Sequence, residues 1–314
     1  MRVMLTGGGG FVGRWLGQEL RAHGHEVVAP ERAELDVADR DQVGTALREH
    51  RPEAVVHLAA VAYAPDAGAD PESALAINLG GTINLLEAIR VAPERPVVLI
   101  TGSSEVYGTP RPADLPLTED APLAPHDTYA FSKVAQEAVA IAYAQRHDLT
   151  AVATRSFNHS GPGQRPVFVL PALAGRVAAV RYGEATSVLV GNLDVRRDFT
   201  DVRDVVRAYR LILEQMRTGK AGQGGLVLNV CSGRSLAIRD LLERLCRLAG
   251  VSPEIVPDVR FIRPTDAPEI RGDASALRRL TGWTVERSAD HMVADVWADV
   301  VARREAGEGD LAAG

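Results

Sequence analysis

A glycine-rich turn near the N-terminus is the feature that most constrains the fold of this chain. Residues 2–6 form an apolar segment typical of a short buried strand, and Gly7, Gly10 and Gly13 then follow in the pattern G-x-x-G-x-x-G. Apolar residues recur at helical spacing over 14–23, so a helix is predicted there. A strand, a glycine turn and a helix in this order let a pyrophosphate approach the backbone at the helix N-terminus. The pattern therefore predicts a dinucleotide-binding unit, although a flexible glycine loop is the structural alternative.

The N-terminal half continues as alternating predicted strands and helices. The further strands are predicted at 26–29, 53–60, 97–101 and 150–155. The 53–60 segment is apolar on both faces, as central strands of parallel sheets are. This alternation predicts an α/β fold with a Rossmann-type, doubly wound parallel sheet.

The alternation breaks down after residue 160, which indicates a second, smaller unit. Predicted helices remain at 202–217 and 236–249, among short strands and loops rich in Arg and Pro. We expect a dinucleotide-binding domain over 1–160, with returning segments near 185–232, and a mainly substrate-binding domain over 161–304. Residues 305–314 are expected to form a disordered tail.

Composition excludes several classes of partner. A net charge of -6 argues against nucleic acid as the main partner. We expect no membrane partner, because no apolar run approaches the roughly 20 residues that cross a bilayer. Without a signal-peptide pattern at the N-terminus, a cytoplasmic protein is expected. The two cysteines, Cys231 and Cys246, are expected to be reduced, and no metal site is expected.

Tyr129 and Lys133 form a Y-x-x-x-K pattern that points to acid–base chemistry. Residues four apart share one face of a helix, so the phenol and the ammonium become neighbours. A cation beside a phenol lowers its pKa from about 10 towards working pH, which suits a general acid or base. The chain has only two lysines, Lys133 and Lys220, and keeps a compact ammonium here. The alternative is an ordinary pair on a helix surface.

The ends of other predicted strands carry further candidates. At the end of the second strand, Glu31 favours NAD and Arg32 favours the NADP phosphate, and both could also be simply solvated. We favour NADP, with NAD as the alternative. Asp36 could cap the next helix or meet the adenine edge. Ser103 and Ser104, after the strand at 97–101, are expected to point into the ligand crevice.

Four motifs in order resemble an extended short-chain dehydrogenase/reductase. They are T-G-x-x-G-F-x-G from Thr6, H-L-A-A at 57–60, S-S-x-V-Y-G at 103–108 and Y-x-x-x-K at 129–133, and the likeness runs from residue 2 to about 300. The resemblance implies a nicotinamide dinucleotide cofactor. The residues it implies for cofactor binding are Gly7, Gly10, Phe11, Val12, Gly13, Arg32, Asp36, Val37, Leu58, Ala59, Ala60, Asn78, Tyr129 and Lys133.

Finer signals, at 155–164, 197–204, 229–233 and 263–266, resemble the ketoreductases of that family that convert GDP-4-keto-6-deoxy-mannose to GDP-rhamnose. The resemblance implies that Tyr129 protonates the sugar oxygen, that Lys133 lowers the pKa of Tyr129, and that Ser103 hydrogen-bonds the keto oxygen. It also implies substrate-binding roles for Ser104, Asn158, Arg197, Arg263 and Asp266. His57 and His159 are interpreted as structural.

Several alternatives stay open. A 4,6-dehydratase would use Glu105 as the base at carbon five, so Glu105 is kept among the catalytic candidates. A 4-epimerase, a dTDP-sugar reductase and a dinucleotide-sensing regulator are the others, and the regulator is disfavoured because Ser103, Tyr129 and Lys133 are all present. The resemblance also implies a homodimer through the helices at 83–90 and 133–146, whose apolar faces could equally be core faces.

Overall fold

The computed structural model describes residues 1–262 and 267–307. Its helices are α1 Phe11–Ala22, α2 Arg40–His50, α3 Ala64–Ala69, α4 Pro71–Leu75, α5 Gly81–Val91, α6 Thr128–His147, α7 Val169–Arg181, α8 Val202–Arg217, α9 Ile238–Ala249, α10 Ser275–Thr281 and α11 Ala289–Glu305. Its strands are β1 Arg2–Thr6, β2 Glu26–Val28, β3 Ala54–His57, β4 Val97–Ser103, β5 Ala151–Ser156, β6 Asn158–Ser160, β7 Ser187–Val190, β8 Arg196–Asp201, β9 Leu226–Val230, β10 Ser235–Ala237, β11 Glu254–Pro257 and β12 Glu269–Ile270.

The main sheet is parallel and has the order β2-β1-β3-β4-β5-β9. The chain first moves outward from β1 to β2 and then returns to the other side of β1 with β3, so the order reverses between β1 and β3. Ligands of doubly wound sheets bind at such a reversal, outside the carboxyl ends of the strands. The α/β class and the Rossmann-like parallel sheet expected from the sequence are confirmed.

Helices cover both faces of the main sheet because each central strand is apolar on both sides. On one face, α1 and α8 pack against alternate residues of the strands, such as Leu5 and Leu99. On the other face, α2, α5 and α6 pack against the residues between them, such as Met4 and Ile100. This two-sided burial explains why the strands read as continuous apolar runs rather than alternating ones.

The C-terminal part has a core of its own. Residues of α7, α9 and α11 pack together with β7 and β8 around Leu173, Leu241 and Val296. In the part of the chain that the structure describes, β10, β8, β12 and β6 form one small sheet and β11 pairs with β7. Of the expected returning segments, β9 joins the main sheet and α8 packs against it, whereas β7 and β8 lie in the smaller sheets.

Some predicted boundaries differ from the observed ones. The strand predicted over 53–60 ends at His57, which leaves 58–60 as a loop at the sheet edge. The helical stretch through Asn78 contains a π-helical turn, Ala76–Gly80. Glu305, the first residue of the expected tail, is the last residue of α11, and 308–314 lie outside the described residues.

One helical stretch is both long and apolar. Among residues 1–262 and 267–307, Pro71–Val91 is the one stretch long and apolar enough, by length and composition, to cross a membrane. Its Leu85, Leu86 and Ile89 are buried in the core beside Val55. The stretch therefore packs as a core helix against the main sheet.

Candidate active site

The glycine turn closes tightly between β1 and α1. Gly7 has a φ of 70°, and a Cβ there would lie 2.8 Å from the backbone nitrogen of Ala59. A Cβ at Gly13 would lie 2.5 Å from the carbonyl oxygen of Gly8. Side chains at either position would clash with backbone, so glycine is what lets the turn and the loop after β3 approach each other.

The N-terminus of α1 fits a bound pyrophosphate. No side chain caps this helix at Gly10, so its first N–H groups remain available to a ligand. Phe11 and Val12 form its first turn, and the ring of Phe11 stacks on His159 at 6.4 Å between centroids. The cradle therefore has the shape and the donors that a dinucleotide phosphate requires.

The predicted cofactor-binding residues that follow β3 line the same edge of the main sheet as the glycine turn. Leu58 donates its N–H to the Thr6 carbonyl at 3.1 Å, and Ala59 donates to Thr6 Oγ1 at 3.3 Å. Ala60 continues this half-buried loop. The loop thus borders the cradle as the sequence predicts.

Asn78 lies beneath that loop rather than on its surface. Its side chain is fully buried, accepts the N–H of Val61 at 2.8 Å and donates to Ser132 Oγ at 2.9 Å. It therefore ties the loop after β3 to α6, so a contribution of Asn78 to cofactor binding would be indirect.

The three candidate residues after β2 differ in exposure and in hydrogen bonding. Arg32 is exposed in a turn. Asp36 accepts the N–H of Ala38 at 3.0 Å, and Asp39 caps α2 instead, by accepting from its first turn. Val37 is buried against Gly81. Of the two roles considered for Asp36, capping α2 is thus taken by Asp39.

Ser103, Ser104 and Glu105 stand at the carboxyl end of β4. Ser103 ends the strand and accepts the N–H of Glu105 at 3.2 Å. Ser104 is buried, whereas Glu105 is half-buried. A 3₁₀ turn over Ser104–Tyr107 gives this segment its bend.

Tyr129 and Lys133 lie on the first turns of α6, which Asp127 caps through the N–H of Ala130 at 2.7 Å. The ammonium of Lys133 lies 5.8 Å from the centroid of the Tyr129 ring and donates to the carbonyl of Thr101 at 3.0 Å. The Y-x-x-x-K pair is therefore assembled beside Ser103, at the sheet edge that carries the glycine turn.

The expected lowering of the Tyr129 pKa is wrong for the protein chain by itself. Burial raises the pKa of Tyr129, a hydrogen bond with Ser103 offsets part of that rise, and the charge of Glu105 adds to it. Burial also lowers the pKa of Lys133 to about 8. Withdrawal from water thus dominates the pKa of Tyr129, and the phenol stays protonated.

His57, the last residue of β3, is hydrogen-bonded to the strands on both sides of it, next to Lys133. Its Nδ1 lies 2.8 Å from Thr6 Oγ1, and its carbonyl accepts the Thr101 hydroxyl at 2.7 Å. Its Nε2 is buried without a hydrogen-bond partner among the described residues. Burial, with a smaller effect of the Lys133 charge, lowers the pKa of His57 to about 3, so the ring is neutral. A structural role for this residue remains our interpretation.

The candidates for substrate binding lie along β6 and β8. Asn158 pairs with Phe199 in the register of these parallel strands, and Arg197 is two residues before Phe199. Arg197 donates to the carbonyl of Ala267 at 2.8 Å. Arg263 and Asp266 lie outside the described residues. His159 is held by its Nδ1 contact with the Phe157 carbonyl at 2.9 Å.

Three carboxylates of the segment after β7 anchor separate parts of the backbone. Asp198 is fully buried and accepts N–H groups of 232–233, at 2.8 and 2.9 Å. Asp201 caps α8, and Asp204 accepts N–H groups of 286–287. Spacing alone does not disclose these partners, because they lie far away in the sequence.

A buried polar network beside the site was missed in the sequence. Arg155 donates to both oxygens of Glu137, at 2.7 and 2.8 Å, to the Glu119 carbonyl at 2.8 Å, and to the Tyr107 hydroxyl at 2.9 Å. Tyr107 donates to Asn229 at 2.7 Å. A guanidinium in an apolar strand requires such partners, so Arg155 itself was the available signal.

Comparison with known proteins agrees with this geometry. The model of the NAD dependent epimerase/dehydratase family matches residues 3–231. GDP-6-deoxy-D-mannose reductase of Pseudomonas aeruginosa is 38% identical over 287 residues, covering 91% of this chain and 92% of that protein. UDP-glucose 4-epimerase of Mycolicibacterium smegmatis is 33% identical over 303 residues, covering 90% of this chain and 93% of that protein.

A solved structure resembles the whole fold. RMD from Pseudomonas aeruginosa, complexed with NADPH, superposes with a TM-score of 0.86 at 36% identity, covering 96% of this chain and 99% of that one. The likeness extends through the C-terminal part of the chain. The chain is an NAD(P)-dependent oxidoreductase and belongs to the NAD dependent epimerase/dehydratase family.

Proposed function

We propose that this chain is an NADPH-dependent nucleotide-sugar 4-ketoreductase that converts GDP-4-keto-6-deoxy-D-mannose to GDP-D-rhamnose. The observation that carries the proposal is the assembly of Ser103, Tyr129 and Lys133 at the sheet edge beside the glycine turn. The 38% identity to a GDP-6-deoxy-D-mannose reductase favours a GDP-sugar over other nucleotide sugars.

The raised pKa of Tyr129 suits a proton donor. When bound, a reduced nicotinamide would supply the hydride to carbon four. Tyr129 holds its proton at neutral pH and gives it to the oxygen at that carbon. Lys133, fixed by the Thr101 carbonyl, places a positive charge where the phenolate forms. Ser103 donates a hydrogen bond to the same sugar oxygen, which stabilises its developing charge.

Arg32 is our candidate for the NADP phosphate. It is exposed in the turn that follows β2, where a guanidinium can reach a ribose 2′-phosphate. Replacing Arg32 by Ala should weaken NADPH binding by about 10-fold or more, since a hydrogen bond to a charged group contributes about 1.5–3 kcal/mol. NADH binding should not change. Equal effects on both cofactors would leave Arg32 without this role.

The sugar nucleotide is proposed to lie between the two halves. Asn158 and Arg197 come from the small sheet, and Ser104 comes from the 3₁₀ turn that follows β4 of the main sheet. Arg263 and Asp266 complete the proposed set by analogy with the family. The division into a domain over 1–160, with returning segments near 185–232, and a substrate-binding domain over 161–304 is part of this proposal.

A 4,6-dehydratase is the second candidate. Glu105 is half-buried, and its charge is close enough to Tyr129 to raise the pKa of that phenol. A carboxylate beside the acid–base tyrosine could remove the proton at carbon five, as dehydration requires.

The deciding assay follows NADPH absorbance with GDP-4-keto-6-deoxy-D-mannose, with GDP-mannose alone as the parallel reaction. A 4-ketoreductase oxidises NADPH only with the keto sugar. Formation of a 4-keto product from GDP-mannose without net cofactor consumption would instead identify the dehydratase. A Glu105→Gln variant separates the two, because it should abolish dehydration and leave reduction largely intact.

We further propose a cytoplasmic homodimer. Phe131 is 54% exposed on α6, and Ala135, Ala138 and Ala142 follow it at helical spacing. A second copy could bury this stripe together with α5. Sedimentation should give a dimer for the native chain, and Ala138→Arg should give a monomer.

A further inference from the structure

A second row of hydroxyl groups lies behind Ser103. Ser156 ends β5 and is the register partner of Ser103 in β4. Register partners in neighbouring parallel strands carry side chains on the same face, with the strands about 4.8 Å apart. Tyr209 of α8 then places its hydroxyl oxygen 2.7 Å from Ser156 Oγ. The order across the sheet edge is therefore Tyr129, Ser103, Ser156, Tyr209. Hydrogen bonds join Tyr129 to Ser103 and Ser156 to Tyr209, whereas register alone brings Ser103 and Ser156 together among the described residues.

This row is closed to solvent. Tyr209 is 2% exposed and Ser156 is 6% exposed. Burial raises the pKa of Tyr209, so its hydroxyl stays protonated and uncharged. Since Tyr209 does not reach water, the row offers no exit for a proton. What it can do is orient its neighbours.

Ser103 needs such orientation. Its oxygen accepts the N–H of Glu105 at 3.2 Å and it shares a hydrogen bond with Tyr129, so the direction of its hydroxyl hydrogen depends on the oxygens around it. Tyr209 is held by the packing of α8 against α1 and the main sheet. It is thus a fixed point from which the direction of the Ser156 hydroxyl, and then of the Ser103 hydroxyl, can be set.

We propose that Tyr209 is a positioning residue that acts through Ser156 to orient the hydroxyl of Ser103 towards the reacting oxygen. This inference rests on the proposed function, in which Ser103 contacts the substrate. Tyr209 belongs to neither the Y-x-x-x-K nor the S-S-x-V-Y-G motif and lies in the amphipathic helix α8.

A double-mutant cycle on kcat tests the proposal with the keto sugar and NADPH. Tyr209→Phe should lower kcat by roughly 5- to 20-fold with KM unchanged, and by less than about 2-fold in a Ser103→Ala background, because residues that act as a unit are not additive. Ser156→Ala should lower kcat as much as Tyr209→Phe does. Ser156→Thr keeps the hydroxyl and should retain the native kcat. Equal losses in both backgrounds, or native kcat in Tyr209→Phe, would overturn the proposal.

A second readout needs no substrate. The chain has six tyrosines, so ¹³Cζ-tyrosine labelling with NADPH bound gives few signals, and Tyr129→Phe assigns that of Tyr129. Tyr209→Phe should move the Tyr129 signal, but not in the Ser103→Ala background. If this coupling is present and the keto sugar is not reduced, the proposed function fails alone. If the sugar is reduced and the coupling is absent, the inference fails alone. Ser156→Ala serves in both measurements should Tyr209→Phe not fold.

Discussion

Two buried polar clusters at the same edge of the main sheet are built in opposite ways. Around Arg155, every charged group has a partner: the guanidinium meets both oxygens of Glu137, a carbonyl and a hydroxyl. Around Lys133, the ammonium has one carbonyl partner and no carboxylate among residues 1–262 and 267–307, and the neighbouring His57 leaves Nε2 without a partner.

The pKa values follow the same division. Burial by itself would lower the pKa of Arg155, but the hydrogen bond to Glu137 raises it above its ordinary range. No such compensation acts on Lys133, and its pKa falls to about 8. Complete pairing fixes a structure, whereas incomplete pairing leaves groups that can exchange protons or meet a ligand. The first cluster holds the segment that carries Glu119, and the second is available for chemistry.

Tyr129→Phe should have the largest effect and sharpen this contrast. We expect kcat to fall by about 10²- to 10⁴-fold, because positioned acid–base groups contribute that much. NADPH affinity, followed by fluorescence titration, should stay near the native value, since the ring remains. Substantial turnover by the variant would remove Tyr129 as the proton donor.

Breaking the paired cluster should cost stability instead. Glu137→Ala leaves the buried Arg155 charge without its carboxylate, so the free energy of unfolding in urea should fall by about 3–5 kcal/mol. The control is Asp114→Ala, which breaks the exposed Arg111–Asp114 pair and should leave the unfolding midpoint unchanged. Similar midpoints for both variants would contradict the distinction between the clusters.

His57 gives the unpaired cluster a pH signature. Folded His57 titrates near 3, while the unfolded imidazole titrates near 6.5, so between these values the unfolded chain binds more protons. Stability should therefore fall as the pH drops below 6.5, by roughly 2 kcal/mol at pH 5. Urea unfolding at pH 7 and pH 5 checks this. The free energy of unfolding should fall less between the two pH values in His57→Gln than in the native chain, by about 2 kcal/mol. Equal losses in both proteins would mean that His57 does not carry the effect.

Alanine substitutions in the glycine turn should have a smaller effect, which depends on the position. A Cβ at Gly13 would meet the Gly8 carbonyl at 2.5 Å, whereas a Cβ at Gly9 would meet nothing within 4 Å. Gly13→Ala should destabilise the chain by about 1–3 kcal/mol, as overpacking does, and weaken NADPH binding. Gly9→Ala is the matched control and should change neither. A loss of NADPH affinity in both variants would point to loop flexibility rather than to close packing.

The N-terminal half was predictable because its signals are local. The Gly7–Gly13 turn, the α6 pair of Tyr129 and Lys133, and the alternation of strands and helices each involve residues close in sequence. The C-terminal half was less so. Asp198 and Asp204 hold segments 34 and 82 residues away, and no period or spacing reveals such partners.

The sequence by itself determined the class of fold, the glycine turn between β1 and α1, and the spacing that makes Tyr129 and Lys133 neighbours on α6, since helical spacing and glycine conformation act within a few residues. Only the tertiary structure decided the protonation of that pair. The pKa of Tyr129 depends mainly on how much water the surrounding elements exclude, and the spacing to Lys133 does not reveal that exclusion. Long-range packing likewise brought Arg155, Glu137 and Asn229 together, and placed Tyr209 behind Ser103, because contacts between distant segments exist only once the sheet has formed.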